Sequence, residues 1–96
     1  MTTRYTWRPE KAAQNLKAHG ISFETATNVF SDPHVLHVED CDYDGDARYH
    51  AIGFANERLI AVVVYVDRSD DKEAIIHIIS ARKAEAIEEK LYAAQF

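Results

Sequence analysis

A segment near the end of the chain carries several side chains that could bind or activate a phosphate group. Residues 75–84 read I-I-H-I-I-S-A-R-K-A, and isoleucine at this density favours a strand. Residues 84–96 have a helical pattern, so a buried strand is expected to run into a helix here. The segment would then hold its polar side chains at one edge of a sheet, either as a chemical site or as a simple strand end: His77, Ser80, Arg82 and Lys83.

Three arginines fall at or beside predicted strand ends: Arg48, Arg68 and Arg82. Guanidinium groups that converge can bind a phosphate through paired hydrogen bonds and can stabilise negative charge that develops on it. The alternative is that they are surface arginines paired with nearby aspartates. This alternative is strongest for Arg68, which has Asp67 and Asp70 beside it.

The chain has five histidines, the residue type best suited to acid–base chemistry near neutral pH. His77 lies among isoleucines, so it is either a catalytic group or a core-edge histidine bonded to the backbone. His37 and His50 lie on strands that are expected to pair. If their side chains face each other they could form a site, or they could line the exposed face of a hairpin.

Residues 40–45 read D-C-D-Y-D-G, which copies the start of a calcium-binding loop. The twelfth position should be a glutamate that binds Ca²⁺ with both oxygens, but it is Ala51, so we interpret the segment as a solvated hairpin loop. Cys41 has no base near it in the sequence, as a nucleophile would need. No zinc, P-loop or dinucleotide motif occurs, and we expect no metal ion and no cofactor.

Composition indicates one ordinary globular domain spanning residues 1–96, with 47% hydrophobic and 28% charged residues. The net charge of −5 disfavours a broad nucleic-acid-binding face but permits a local basic site. The single cysteine fits a reducing compartment. The longest apolar run, residues 59–66, is too short to span a bilayer, and the first residues contain no signal-peptide core. We therefore expect a cytoplasmic protein.

Hydrophobic periodicity predicts the element order β-α-α-β-β-β-β-α. Helices are expected from Pro9 to about His19, and from a cap at Ser22 to the break at residues 32–33. The last helix should direct four apolar residues inward: Ala84, Ile87, Leu91 and Tyr92. Strands are expected over residues 4–7, 34–40, 47–54, 59–66 and from 75 onward. This order predicts an α+β domain, an antiparallel sheet with helices packed on it.

Five sequence segments match a known pattern. They are W-x-P-x-K-x-x-x-N (residues 7–15), H-G-I-S-F-E-x-A (19–26), V-F-x-D-P (29–33), R-Y-x-x-I-G (48–53) and I-I-S-A-R-K-A (78–84). Together they cover nearly the whole chain, which resembles the BrnT family of toxins from bacterial type II toxin–antitoxin systems. The chain departs from the usual family residues in having Arg8 for aspartate, Ala18 for lysine and His77 for arginine.

The resemblance implies a fold similar to the RelE-type ribonuclease toxins, which cleave RNA and halt translation. It also implies a BrnA-type partner, an antitoxin with a ribbon-helix-helix region, and contact with operator DNA only through that antitoxin. The alternative is a non-catalytic module that binds the antitoxin and tunes operator binding. An acidic surface suits a basic protein partner better than RNA.

RNA cleavage without a metal requires a base for the 2′-hydroxyl, stabilisation of the phosphate and a proton for the 5′-oxygen. On the resemblance we expect Arg48, Arg68 and Arg82 to hold the phosphate. His77 would act as acid or base, and Tyr65 would orient or protonate. We expect RNA contacts from four further residues: Lys11, Lys17, His19 and Lys83. Exposed aromatic residues such as Tyr43 or Tyr49 could stack on bases, although Tyr49 could equally be a core residue.

Overall fold

The computed structural model describes residues 3–43 and 46–96, whose strands form one five-stranded sheet. The strands are β1 (Thr3–Thr6), β2 (Leu36–Tyr43), β3 (Asp46–Asn56), β4 (Leu59–Asp67) and β5 (Ala74–Lys83). The helices are α1 (Pro9–His19), α2 (Phe23–Ala26), continued by a 3₁₀ helix (Thr27–Ser31), and α3 (Ala86–Ala93). The α+β class and the order of the elements are confirmed.

The strand order is β1-β5-β4-β3-β2. The expected antiparallel pairing holds from β2 to β5, but β1 joins the edge of β5 in parallel. Short hairpins force antiparallel neighbours, whereas β1 and β5 are separated by most of the chain. The connection therefore leaves the direction of β1 open, and its packing decides it.

Local signals place the ends of the first two helices as expected. Pro9 occupies the first turn of α1, and Gly20 ends it in the left-handed conformation, with φ of 71° and its N–H bonded to the carbonyl of Leu16 at 2.8 Å. The Ser22 hydroxyl accepts the N–H of Thr25 at 3.1 Å and so caps α2. These caps turn the chain sharply between α1 and α2.

The acidic segment is more regular than expected. β2 continues to Tyr43 and β3 begins at Asp46, because the ladder between the two strands outweighs the low strand propensity of aspartate. Asp44 and Gly45 lie outside the described residues, as do the side chains of residues 40–47. The calcium-loop and Cys41 interpretations, and any stacking by Tyr43, fall on this part of the chain.

The core occupies both faces of the sheet. The larger cluster lies under α1 and α2 and includes Phe23, Val29, Val63 and Ile78; the smaller lies under α3. Within the smaller cluster the inward positions of Ala84 and Tyr92 are confirmed, at 5% and 3% exposure.

The inward positions expected for Ile87 and Leu91 are wrong, since these side chains are 66% and 51% exposed. Ala84 lies just before α3, whereas Glu88 and Tyr92 are four residues apart and share the face of α3 that meets the sheet. Ile87 and Leu91 each lie one residue before a member of this pair and so project away from the sheet.

Among the described residues, none of the helices has the length and apolar content to cross a membrane.

Candidate functional site

One row of paired residues crosses four strands of the sheet. Arg48 pairs with Val66, Val66 with His77, and His77 with Thr6. Paired residues on neighbouring strands project to the same face, and the strand spacing puts the Arg48 and His77 backbones about 10 Å apart. The row therefore places an arginine, a histidine and a hydroxyl on one face of the sheet.

A cleft of about 290 Å³ opens at this row. Its described lining is Arg8, Lys11, Arg48, Val66, Arg68, His77, Ile78 and Ile79. Four of these side chains are cationic and none is acidic. A protein with a net charge of −5 thus concentrates positive charge at one place, as a local anion site requires. We call this the cationic cleft.

A bulge in β5 shapes the wall of the cationic cleft. Val64 pairs with Ser80 but Tyr65 pairs with Ile78, so Ile79 is an extra residue without an opposite partner on β4. β1 pairs only with residues 74–77, so the edge of β5 beyond them faces α1 instead of a described strand. The bulged Ile79 and the first turn of α1 meet there and close the cleft.

Asn15 holds α1 against this edge of β5. Its amide nitrogen donates to the carbonyls of Ala81 at 2.8 Å and Ile21 at 3.0 Å, and its oxygen accepts the N–H of Ala81 at 3.0 Å. The side chain is buried and bonds the strand edge as another strand would. It thereby fixes the position of Lys11, one turn earlier in α1.

His77 is half-buried, and its Nδ1 lies 2.8 Å from the hydroxyl oxygen of Thr6. Burial lowers the pKa of His77, and the positive charges of Arg68 and Arg8 lower it further. The lowered pKa favours the neutral imidazole, which can accept a proton. When Nδ1–H donates to Thr6, Nε2 presents the lone pair that a general base needs.

Arg68 is not paired with its aspartate neighbours. Asp67 accepts the N–H of Ser69 at 2.9 Å, and Asp70 accepts the N–H groups of Lys72 and Glu73 at 2.8 and 2.9 Å. These carboxylates organise the turn after β4. Within the described residues Arg68 forms no ion pair, so its guanidinium can meet an anion in the cleft.

Arg8 also lines the cleft, although in the sequence it stood out only as a departure from the family pattern. Its side chain makes no cap hydrogen bond and instead contacts Glu10, with Nη2 to Oε1 at 2.6 Å. Arg8 and Lys11 are three residues apart at the start of α1, a spacing that puts both on one side of the first turn. That spacing is the sequence signal that could have placed Arg8 beside Lys11 in the site.

Four of the nine expected site residues meet in the cationic cleft: Lys11, Arg48, Arg68 and His77. Tyr65 does not. It neighbours Val66 along β4 and so projects to the opposite face, where it is 6% exposed and its hydroxyl lies 2.7 Å from Nδ1 of His37. Burial raises the pKa of Tyr65 to about 12. Tyr49 stacks on it within the core, with ring centroids 5.5 Å apart.

Arg82 also lies outside the cationic cleft. Its Nη1 and Nη2 donate to the two carboxylate oxygens of Glu88 at 2.8 and 2.7 Å, which lowers the pKa of Glu88. Glu88 additionally accepts the N–H of Glu85 at 2.8 Å as part of a capping box. The structure therefore uses Arg82 to hold α3 on the sheet.

A second cleft of about 180 Å³ adjoins the first. Its lining is Lys11, Gln14, Asn15, Ala18, His19, Ile79 and Ser80. Of the expected RNA contacts, Lys11 lines both clefts and His19 lines the second, whereas Lys17 and Lys83 are exposed and line neither.

His37 and His50 do not face each other. His37 pairs with Ala51 and His50 with Val38, so the two rings lie on opposite faces of the sheet. Within residues 3–43 and 46–96 no three histidine, cysteine or acidic side chains come together as a metal site. The expectation of chemistry without a metal or cofactor stays a prediction.

Comparison with known proteins identifies the family. Residues 7–88 match the family described as the ribonuclease toxin, BrnT, of type II toxin–antitoxin systems. The crystal structure of the Brucella abortus ribonuclease toxin BrnT superposes with a TM-score of 0.63 at 25% identity, covering 88% of this chain and 99% of that one. A search of curated proteins found no match. The matched residues include every residue that lines the cationic cleft. Because the match covers most of the chain, the chain belongs to the BrnT family of ribonuclease toxins of type II toxin–antitoxin systems.

Proposed function

We propose that this chain is an endoribonuclease that cleaves RNA in the cationic cleft without a metal ion. The observation that carries the proposal is the cleft itself, whose described lining has four cationic side chains and no acidic one beside His77. A phosphodiester is the anion that such a cleft fits, and a neutral histidine beside it supplies the base.

The reaction follows from these groups. His77 takes the proton of the ribose 2′-hydroxyl, and the 2′-oxygen forms a bond to phosphorus. The bond from phosphorus to the 5′-oxygen breaks, and that oxygen takes a proton from water. The products are a 2′,3′-cyclic phosphate and a 5′-hydroxyl end.

The cations divide the remaining work. Arg48 and Arg68 hold the non-bridging oxygens, where negative charge grows in the transition state. Arg8 and Lys11, at the start of α1, hold the neighbouring phosphates of the strand. Arg8 also helps to keep His77 in its neutral, proton-accepting form.

In the cell, cleavage of RNA would stop translation, and an antitoxin of the BrnA type, with a ribbon-helix-helix region, would neutralise the toxin in the cytoplasm. Operator DNA would be contacted only through that antitoxin. The family's description as one half of a type II toxin–antitoxin system supports the partner.

The test is RNA cleavage by purified protein in the presence of EDTA, with analysis of the fragment ends. We expect cyclic phosphate ends, and a loss of at least about a hundredfold in rate for Arg68→Gln. The matched control is Arg58→Gln, an exposed arginine in the β3–β4 turn that lines neither cleft. Cleavage that requires Mg²⁺, or an equal loss in the control, contradicts the proposal.

The second candidate is the non-catalytic, antitoxin-binding module. The exposed Ile87 and Leu91 on α3 favour it, because apolar side chains at this spacing suit a protein partner. Expression in bacteria discriminates between the two candidates. Growth arrest that Arg68→Gln abolishes supports the nuclease, and no arrest with retained antitoxin binding supports the module.

A further inference from the structure

We propose that the second cleft is a subsite for the nucleotide next to the scissile phosphate, and that Gln14 and His19 recognise its base. The inference rests on the proposed cleavage of RNA and names the part of the substrate that this cleft receives. It assigns a role to residues that lie beyond the catalytic row.

The two clefts are adjacent, because Lys11 and Ile79 line both of them. Lys11, Gln14 and Ala18 follow one another at three- and four-residue spacing, so they share one side of α1 over about 10 Å. A strand whose phosphate lies in the cationic cleft would therefore continue past Lys11 along α1. The small side chain of Ala18 leaves room there.

The polar groups of the second cleft are available to a ligand. In the described part of the chain, the Gln14 amide, the His19 ring and the Ser80 hydroxyl make no side-chain hydrogen bond. Asn15, by contrast, uses both its amide nitrogen and its amide oxygen in hydrogen bonds to backbone groups. Asn15 therefore has a structural role, whereas the polar groups of Gln14, His19 and Ser80 can bind a ligand.

The unused groups suit a nucleotide base. A glutamine amide offers a donor and an acceptor side by side, which matches the edge of a base, and an exposed histidine ring can stack on a base. Lys11 lies between the two clefts and can neutralise a phosphate of the strand that passes from one cleft to the other. Single-stranded RNA presents both base edge and base face to such a site.

The test measures base preference beside the cut. A randomised single-stranded RNA is cleaved by the wild type and by Gln14→Ala, His19→Ala and Ala18→Leu, and the fragment ends are sequenced. We expect the preference of the wild type for one neighbouring base to fall about tenfold in Gln14→Ala and His19→Ala. Ala18→Leu narrows the cleft with a good helix former and should reduce cleavage beside large bases most.

Gln95→Ala and His34→Ala are the matched controls, since both residues lie outside the two clefts. Their base preference should equal that of the wild type. Wild-type cleavage with unchanged preference in all three subsite variants overturns the subsite and leaves the nuclease proposal standing.

A binding measurement keeps the two proposals separable. His77→Ala protein is titrated with fluorescent tetranucleotides that differ at one position. Introducing Gln14→Ala into the same protein should weaken binding of the preferred tetranucleotide about tenfold. Its affinity should then equal the affinities for the other tetranucleotides. Equal affinities before and after the substitution overturn the subsite even if the wild type cuts no RNA. A wild type that cuts no RNA, together with base-selective binding by the His77→Ala protein, overturns only the nuclease proposal.

Discussion

The two faces of the sheet each carry a histidine whose Nδ1 contacts a hydroxyl. On one face His37 lies 2.7 Å from the Tyr65 hydroxyl, and on the other His77 lies 2.8 Å from Thr6. The first pair packs among aromatic rings, including Phe30. In the second pair His77 lines the cationic cleft, whose described charged lining residues are all cationic.

The difference between these two pairs is in their surroundings. Burial keeps the proton on the Tyr65 hydroxyl, so that the pair ties β2 to β4 across the aromatic cluster. His77 instead has arginines beside it that favour its neutral form and can hold an anion next to it. The same residue type therefore supports packing on one face and, in the proposed function, chemistry on the other.

The largest expected effect comes from removing each histidine in turn. His77→Ala should lower the rate of RNA cleavage by about 10²–10⁴-fold, because the base is lost. His37→Ala removes a ring of the same kind from the other face and should keep most of the activity. Initial rates on one RNA substrate measure both. Equal losses in the two variants would show that the contrast between the faces is wrong, and a large loss in Tyr65→Phe would restore Tyr65 to the site.

A stability measurement tests how the cationic side of the molecule is built. Asn15→Ala should lower the free energy of unfolding by about 3 kcal/mol, because buried backbone groups of Ala81 and Ile21 lose their partners. Asn28→Ala removes one bond, to the carbonyl of Ala55, and should cost about 1 kcal/mol. Urea unfolding compares the two. Similar losses would argue against Asn15 as the link between α1 and β5.

Arg82 provides a smaller test, of whether it belongs to the cleft or to α3. If it holds α3, Arg82→Gln and Glu88→Gln should each lower the free energy of unfolding by about 2 kcal/mol, because each breaks the same partly buried pair. Thermal or urea unfolding and cleavage rates are measured together. A catalytic Arg82 would instead lose activity at full stability, and Glu88→Gln would not reproduce the loss.

The smallest expected effect is a shift in pH dependence. The base form of His77 is lost as the pH falls through its lowered pKa, so cleavage should decline on the acid side below the ordinary histidine value of 6.5. Arg68→Gln removes a positive charge that helps to lower the pKa of His77, so this decline should move to higher pH. The pH profile of residual kcat/KM measures the shift. An unmoved profile would remove His77 as the titrating base.

The free energy of unfolding should also depend on the protonation of His77. The pKa of His77 is lower in the folded protein than in the unfolded chain, so the unfolded state binds the proton more readily. The contribution of His77 is therefore complete above pH 6.5 and is lost as the pH falls through the folded value. Thr6→Val, which removes the hydroxyl partner, tests whether the pair also orients the ring.

Sequence reasoning selected four of the five polar residues that line the cationic cleft. Lys11, Arg48, Arg68 and His77 were selected by residue type and family resemblance, and the structure brings them together. Arg8 was missed because in the sequence it was noted only as a departure from the family pattern. Tyr65 and Arg82 were selected by their neighbours in sequence, but strand alternation turns Tyr65 away and Glu88 engages Arg82.

The sequence by itself determined the local elements and the family. Pro9, Gly20 and Ser22 mark helix ends through backbone preferences that act within a few residues, and the apolar run of β4 requires a central strand. The motif segments needed no folding to be recognised.

Only the tertiary structure decided which groups meet. The parallel placement of β1 puts Thr6 against His77, and the register of β3 and β4 brings Arg48 to the same row. These pairings join residues far apart in the chain, and they depend on cross-strand packing that no local propensity encodes. The bulge at Ile79 lies on the edge of β5 that faces α1, and Ile79 lines the cleft together with His77.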